Sequence, residues 1–346
     1  MANPRSAGTA LVEPRRFAQI SAKAYEHPAD RAATSALHSI PMFDRVVRRL
    51  TELGHERSLR QVLLGNAVRL GDDQVPATWA TFRRCLVTFD LDVVPALYVM
   101  QASQANAMTI GANSPIVLLN SGLVTSYTAE ETHVVLAHET AHVLSDHVQY
   151  TTMLALLGLL AGGVLSGQML GLPVKALMYV LLEWSRAAEL SSDRAAALAV
   201  GDPLAVCRVL MRLAGGAVEG MNLDAFIRQA TEYDDEEDLF ARHGRFRTEA
   251  MQRHPFPVRR VKELVTWVAS GEYDRISSGS YVRRGEEPPV SAELQAAVDH
   301  YRERFVRFTD RTLGGVERVE GQIRDWLRRR GTDSTTGGAG RAEPAD

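Results

Sequence analysis

The stretch His138-Glu139-Thr140-Ala141-His142 decides how this sequence is read. It lies within a segment, from Thr128 to about Tyr150, whose apolar spacing predicts a helix. Thr128 and Glu131 have the Ser/Thr-x-x-Glu spacing that caps a helix start. On a helix, positions four apart are offset by about 40°, so both imidazoles leave one face, one turn apart. That separation lets a neutral ring nitrogen from each reach one zinc ion at about 2.0–2.1 Å. Glu139 stands beside the first histidine, close enough to address a water at the ion without becoming a ligand. His133 and His147 are five residues from the nearer motif histidine, about 140° round the helix, which predicts supporting or surface positions rather than ligation.

A catalytic zinc needs a third protein ligand and one position left open for water. A histidine six residues beyond His142 would serve, but Val148 is there. A second helix, predicted over about 174–200, offers Glu189 and Asp193 on one face. Glu189 could close the site, while Asp193 could orient a ligand histidine through its other ring nitrogen. The competing reading is an acidic pair on a solvated helix face, and the apolar flanks on both sides oppose it. The H-E-x-x-H spacing itself is a metalloprotease signature.

With Ser185-Arg186-Ala187-Ala188-Glu189 and Asp193, the histidine motif resembles the HtpX-like and CAAX-prenyl-protease-like zinc metalloendopeptidases, which are gluzincins. His254-Pro255-Phe256-Pro257 followed by Arg259-Arg260 looks like the family's downstream His-Pro motif, and Asn106-Ala107-Met108 with Gly111 ahead of Pro115 to Leu119 is a further match. Residues 19–32, with Ala24-Tyr25-Glu26-His27-Pro28-Ala29-Asp30-Arg31, are similar to the opening of soluble bacterial members. The resemblance implies one zinc ion per chain on His138, His142 and Glu189, with Glu139 as general base. It puts Arg186 and Asp193 in support of the ligands and His254 near the metal. There His254, or Arg259, would stabilise the developing oxyanion, or His254 would cap the ion as an inhibitory ligand. The strand from Asn106, Ala107 and Met108 to Gly111 could be an edge to which an extended polypeptide substrate adds by backbone pairing, or a plain interior strand.

The remainder of the 346 residues frames that centre. Hydrophobic residues are 45% and charged residues 23%, an ordinary globular composition, and the net charge of −3 gives no field for nucleic acid. Cys85 and Cys207 are too few for a disulfide scaffold, and lysine occurs only at Lys23, Lys175 and Lys262, as in a GC-rich bacterial genome. Helical spacing over about 30–52, 56–70 and 76–89 gives way to short apolar runs at 96–100, 107–110 and 115–119 that read as a small sheet. The expected fold is therefore α+β and mostly helical, a zincin-type core with a small sheet beside the motif helix. The expected divisions are a flexible 1–18, a helical region 19–94, the peptidase core 95–270, a helical region 271–330 and a disordered tail 331–346.

Residues 151–172 carry no charge and have the length of a membrane span. One crossing between His142 and Glu189 would separate residues that must meet, so a hydrophobic hairpin over 151–182, packed on the site or touching a membrane surface, is expected instead. No signal peptide is evident. The expected place is the bacterial cytoplasm, at the inner face of the membrane if the hairpin engages it. The leading reading is a zinc endopeptidase in quality control of unfolded or membrane-associated polypeptides. Its rivals are a quiet chaperone-like binder on the same fold and a membrane-surface scaffold.

Overall fold

Alternation along the strands assigns each side chain of the sheet to a face. The computed structural model describes residues 15–38, 56–111, 114–162, 172–233 and 255–287. Within them β1 (Ala67–Arg69), β2 (Ala96–Met100), β3 (Ala107–Ile110) and β4 (Ile116–Asn120) form a sheet in the order β1-β2-β4-β3. β2 and β4 run parallel, while β1 on β2 and β3 on β4 run antiparallel. Successive residues of a strand point to opposite faces. Leu97, Val117 and Leu119 accordingly enter the main core, and Tyr98, Ile110, Ile116 and Leu118 cover the other face together with Leu63. Leu63 belongs to a helix, α2 (Glu56–Asn66), that ends four residues before the expected limit. Gly65 and Asn66 hold a helix weakly, and Ala67, Val68 and Arg69 find ladder partners in Met100, Val99 and Tyr98.

On the helical side, α3 (Pro76–Thr88), α5 (Ala129–Leu144), α7 (Leu172–Val200), α8 (Pro203–Gly215), α9 (Leu223–Glu232) and α10 (Pro257–Ala269) close over the sheet. Between β4 and α5 lies the short α4 (Ser121–Ser126). From 184 to 199 every side chain of α7 is buried, the mark of a helix enclosed on all sides. Small residues, Ala187, Ala188, Ala195, Ala196, Ala197 and Ala199, let its neighbours approach, while Arg186, Glu189, Asp193 and Arg194 carry charge into the interior.

The start of α5 is the expected capping box: Thr128 Oγ accepts from the Glu131 amide at 3.2 Å, and the Thr128 amide donates to Glu131 Oε2 at 2.7 Å. Its end differs from the expectation of about Tyr150. The helix stops at Leu144, because Asp146 adopts the left-handed region with φ 54°. The Asp146 amide then donates to Val143 O at 3.3 Å and the His147 amide to His142 O at 3.0 Å, which is a Schellman closure with aspartate where glycine is usual. A new helix, α6 (Val148–Gly162), leaves in another direction.

α6 opens the charge-free run, and its Tyr150, Met153, Leu154 and Leu157 form a second core with Leu181, Leu182, Trp184 and Ala188 of α7. Ala33 and Leu37 of α1 (Pro28–His38) complete it. No helix among the described residues is long and apolar enough to cross a membrane. The middle of the expected hairpin, 163–171, lies outside the described residues, as do His254, the tail from 331, and 288–330. At the N-terminal end the chain is anchored from Phe17, which is buried and donates its amide to Thr88 O at 2.8 Å. The next residues pair with the far end of the described chain: Ser21 N donates to Val282 O at 3.0 Å and Arg284 N to Gln19 O at 2.7 Å. The last helix there is α11 (Glu272–Ser277).

Candidate metal centre

Helices α5 and α7 pack against each other, and the contact brings His138, His142 and Glu189 together with one donor atom from each within 4.8 Å of the others. His138 Nε2 is 3.2 Å from His142 Nε2 and 3.3 Å from Glu189 Oε2, and His142 Nε2 is 3.5 Å from Glu189 Oε1. A tetrahedral zinc with bonds of about 2.0–2.1 Å spaces its ligand atoms about 3.3–3.4 Å apart. Two imidazoles and a carboxylate at these separations therefore fit such an ion in both chemistry and size.

Around this triangle the charges are arranged in pairs. Asp193, one turn beyond Glu189 on α7, places Oδ1 at 3.1 Å from His138 Nδ1. Arg260 of α10 grips Asp193 with two bonds of 2.7 Å and reaches Glu189 Oε2 at 3.1 Å. Burial alone would lower His138, but the carboxylates of Glu189 and Asp193 outweigh it and raise the ring to about 10. Burial would likewise raise Asp193, yet Arg260 and His138 hold it below the usual carboxylate range. For His142 burial prevails and lowers the ring, although Glu189 pulls the other way. Arg186 pairs with Glu183 one turn before it on α7.

Glu139 is buried, and its carboxylate is set by β3: the Thr109 hydroxyl donates to Glu139 Oε2 at 2.6 Å. The same strand is the last in the sheet order, paired with β4 on one side. Asn106 is exposed and Ala107 and Met108 are half-buried just after it. Asn106 Oδ1 accepts from the Ala107 amide at 2.9 Å, and Asn106 O accepts from the Asn120 amide at 2.9 Å.

Three residues near the triangle carry more than sequence reasoning gives them. Arg260, rather than Arg259, faces the carboxylates, since it lies four residues before Leu264 on the buried face of α10. That periodicity is a usable signal. His147 is buried, and the Schellman closure folds it back so that its Nδ1 stands 3.0 Å from His142 Nδ1. Asp30 of α1 then takes the other side of His147, with Oδ2 at 3.0 Å from Nε2. No spacing in the sequence announces a contact across 117 residues. His133 stays on α5, half-buried, with no hydrogen-bond partner at Nε2, and burial lowers it to about 4.

Residues 80–268 match peptidase family M48. Over 269 residues the chain is 32% identical to plastoglobule-localized metallopeptidase 48, chloroplastic, of Arabidopsis thaliana, a match that covers 76% of this chain and 77% of the relative. It is 30% identical over 146 residues to protease HtpX homolog 1 of Streptomyces coelicolor, covering 35% of this chain and 48% of that protein. Protease HtpX homolog 2 of Methanosarcina acetivorans is 25% identical over 183 residues, 43% of this chain and 62% of the relative. No solved structure matches the chain.

Proposed function

From the premise that this chain belongs to peptidase family M48 and is a metalloendopeptidase, we propose that its metal is one zinc ion held by His138, His142 and Glu189, with Glu139 as general base. The observation that carries the reading is the triangle of donor atoms at 3.2, 3.3 and 3.5 Å. When bound, zinc supplies Lewis acidity, polarising a peptide carbonyl and making water acidic enough to ionise near neutral pH.

The chain's own groups do the remainder. Thr109 occupies Glu139 Oε2, which leaves Oε1 to take a proton from the attacking water and pass it to the departing amine. Asp193 receives the Nδ1–H of His138, which keeps the Nε2 lone pair of that ring facing the metal, and Arg260 in turn fixes Asp193. The outer edge of β3, reached through Asn106, Ala107 and Met108, suits an extended substrate that adds by backbone pairing. His254 follows the family's His-Pro motif as the second electrophile for the oxyanion, and Arg186 steadies α7 beside the ligand Glu189. Unfolded or membrane-associated polypeptides in a bacterial cytoplasm are the substrates this reading favours. What supports membrane contact is the charge-free run 151–172, and flotation with vesicles tests it.

The deciding experiment incubates the purified chain with casein, with and without a chelator, beside Glu139→Gln. Cleavage should stop with the chelator. The variant should keep about one metal per chain and lose about 10²–10⁴-fold in rate, because an amide cannot accept the proton. Cleavage that ignores the chelator, or a variant near wild-type rate, would overturn the assignment.

A further inference from the structure

His142 has a second ring nitrogen, and a continuous line of hydrogen bonds leads from it to the N-terminal segment. His142 Nδ1 lies 3.0 Å from His147 Nδ1, and His147 Nε2 lies 3.0 Å from Asp30 Oδ2. The Ser191 hydroxyl donates to the same Asp30 oxygen at 2.6 Å and itself accepts from the His27 amide at 2.9 Å. Trp184 stands edge-on to the His147 ring at 5.4 Å and ties its indole N–H to Thr34 at 3.0 Å, one turn beyond Asp30. Asp30, His147 and Ser191 are all buried, so water does not compete for these positions.

We propose that Asp30 and His147 are positioning residues for the metal centre, a relay that fixes the tautomer and the plane of His142. The argument is one of proton placement. A carboxylate only accepts, so Asp30 requires the proton of His147 on Nε2. In the neutral ring the Nδ1 of His147 is then an acceptor, which requires the proton of His142 on Nδ1. That leaves the Nε2 lone pair of His142 pointing at His138 and Glu189, the form a metal needs. Asp193 does the same for His138 from α7, so each ligand histidine is held by its own carboxylate, one directly and one through a ring. The second carboxylate comes from outside residues 80–268, the span that matches the family. The centre is thus completed by a helix that lies upstream of that span.

The proposal rests on His142 as a ligand, and its test separates the two. Full-length protein is loaded with zinc in competition with a chromophoric chelator, and with cobalt(II), whose visible spectrum reports ligand geometry. Asp30→Asn and His147→Phe should bind zinc about 10–100-fold more weakly than wild type and shift the cobalt spectrum. His147→Gln, whose amide both accepts from His142 and donates to Asp30, should restore binding to the wild-type value. Tyr25→Phe removes a nearby hydrogen bond to Ser145 and should change neither readout. Wild-type affinity and spectrum in Asp30→Asn and His147→Phe would overturn the relay. If either fails to fold, Ser191→Ala decides: it keeps both rings and the carboxylate, and about threefold weaker binding is expected, unchanged binding refuting the proposal. His142→Ala binding as tightly as wild type would refute the ligand assignment itself.

Discussion

Arg260→Met removes a cation that holds Glu189 and Asp193 together in the interior. Its guanidinium sits 2.7 Å from Asp193 and 3.1 Å from Glu189, with 7% of the side chain exposed. At about 3 Å and an effective dielectric of about 20, each contact carries about 5 kcal/mol of gross attraction. Most of that is offset by the desolvation of the arginine, and removing one partner of a buried pair costs about 3–5 kcal/mol net. The lower figure applies here, because without metal the His138 ring, raised to about 10, already carries a proton between the same two carboxylates. For a domain of this size about 3 kcal/mol lowers the melting temperature by roughly 6–12 °C. The assay is thermal or urea unfolding of wild type and variant, in chelator and in excess zinc. A divalent ion at the proposed ligands brings two positive charges to the two carboxylates, so the variant should gain more from zinc than wild type does. Arg260→Lys keeps the charge without the two-pronged grip and should fall between. A variant within about 1 kcal/mol of wild type in chelator, or one that gains no more from zinc, would refute this account of the charges.

His133, neutral in the fold with its pKa lowered to about 4 by burial, takes a proton near pH 6.5 once unfolded. Stability should therefore be full above about pH 6.5 and decline as the pH falls towards 4, by about 2 kcal/mol at pH 5. His133→Phe should flatten that region of the curve in urea titrations run with chelator. A methyl group on Gly122 would stand 2.1 Å from Ser103 O, so Gly122→Ala should cost about 1–3 kcal/mol in unfolding free energy by forcing the loop off α4. Asp146, at φ 54°, should tolerate glycine, whereas Asp146→Ala should lose about 1 kcal/mol and weaken zinc binding by letting α5 run on and carrying His147 away from His142.

The features of this molecule that obey a short period are legible in its sequence. The histidine motif needs only the helical repeat, Glu189 and Asp193 share a face by the same rule, and Thr128 with Glu131 marks the helix start. The strands at 96–100, 107–110 and 116–120 follow from apolar runs cut by Gly and Asn. Arg260 is readable by the same rule, once one asks which of two adjacent arginines shares the face of Val261, Leu264 and Val268. His147 escapes for a different reason. Its angle holds only on a continuous helix, and the break depends on one left-handed residue that is aspartate, not glycine. Asp30 has no local signal at all, since its role exists only once α1 lies against α7.

The pairing of Ser21 and Gln19 with Val282 and Arg284 joins two pieces of chain that are made far apart in time. A ribosome adding about 5–20 residues per second needs roughly 10–50 s to pass from one to the other. Asp30 waits for part of that interval, until His147 and Ser191 are made 117 and 161 residues later, and the segment around Phe17 waits for nearly all of it until Tyr281, against which its ring finally rests at 5.8 Å. Contacts of such long range also slow the search itself, since loop closure has to precede any reward. A nascent chain thus carries its histidine motif before Glu189 and Arg260 have been made to complete the centre.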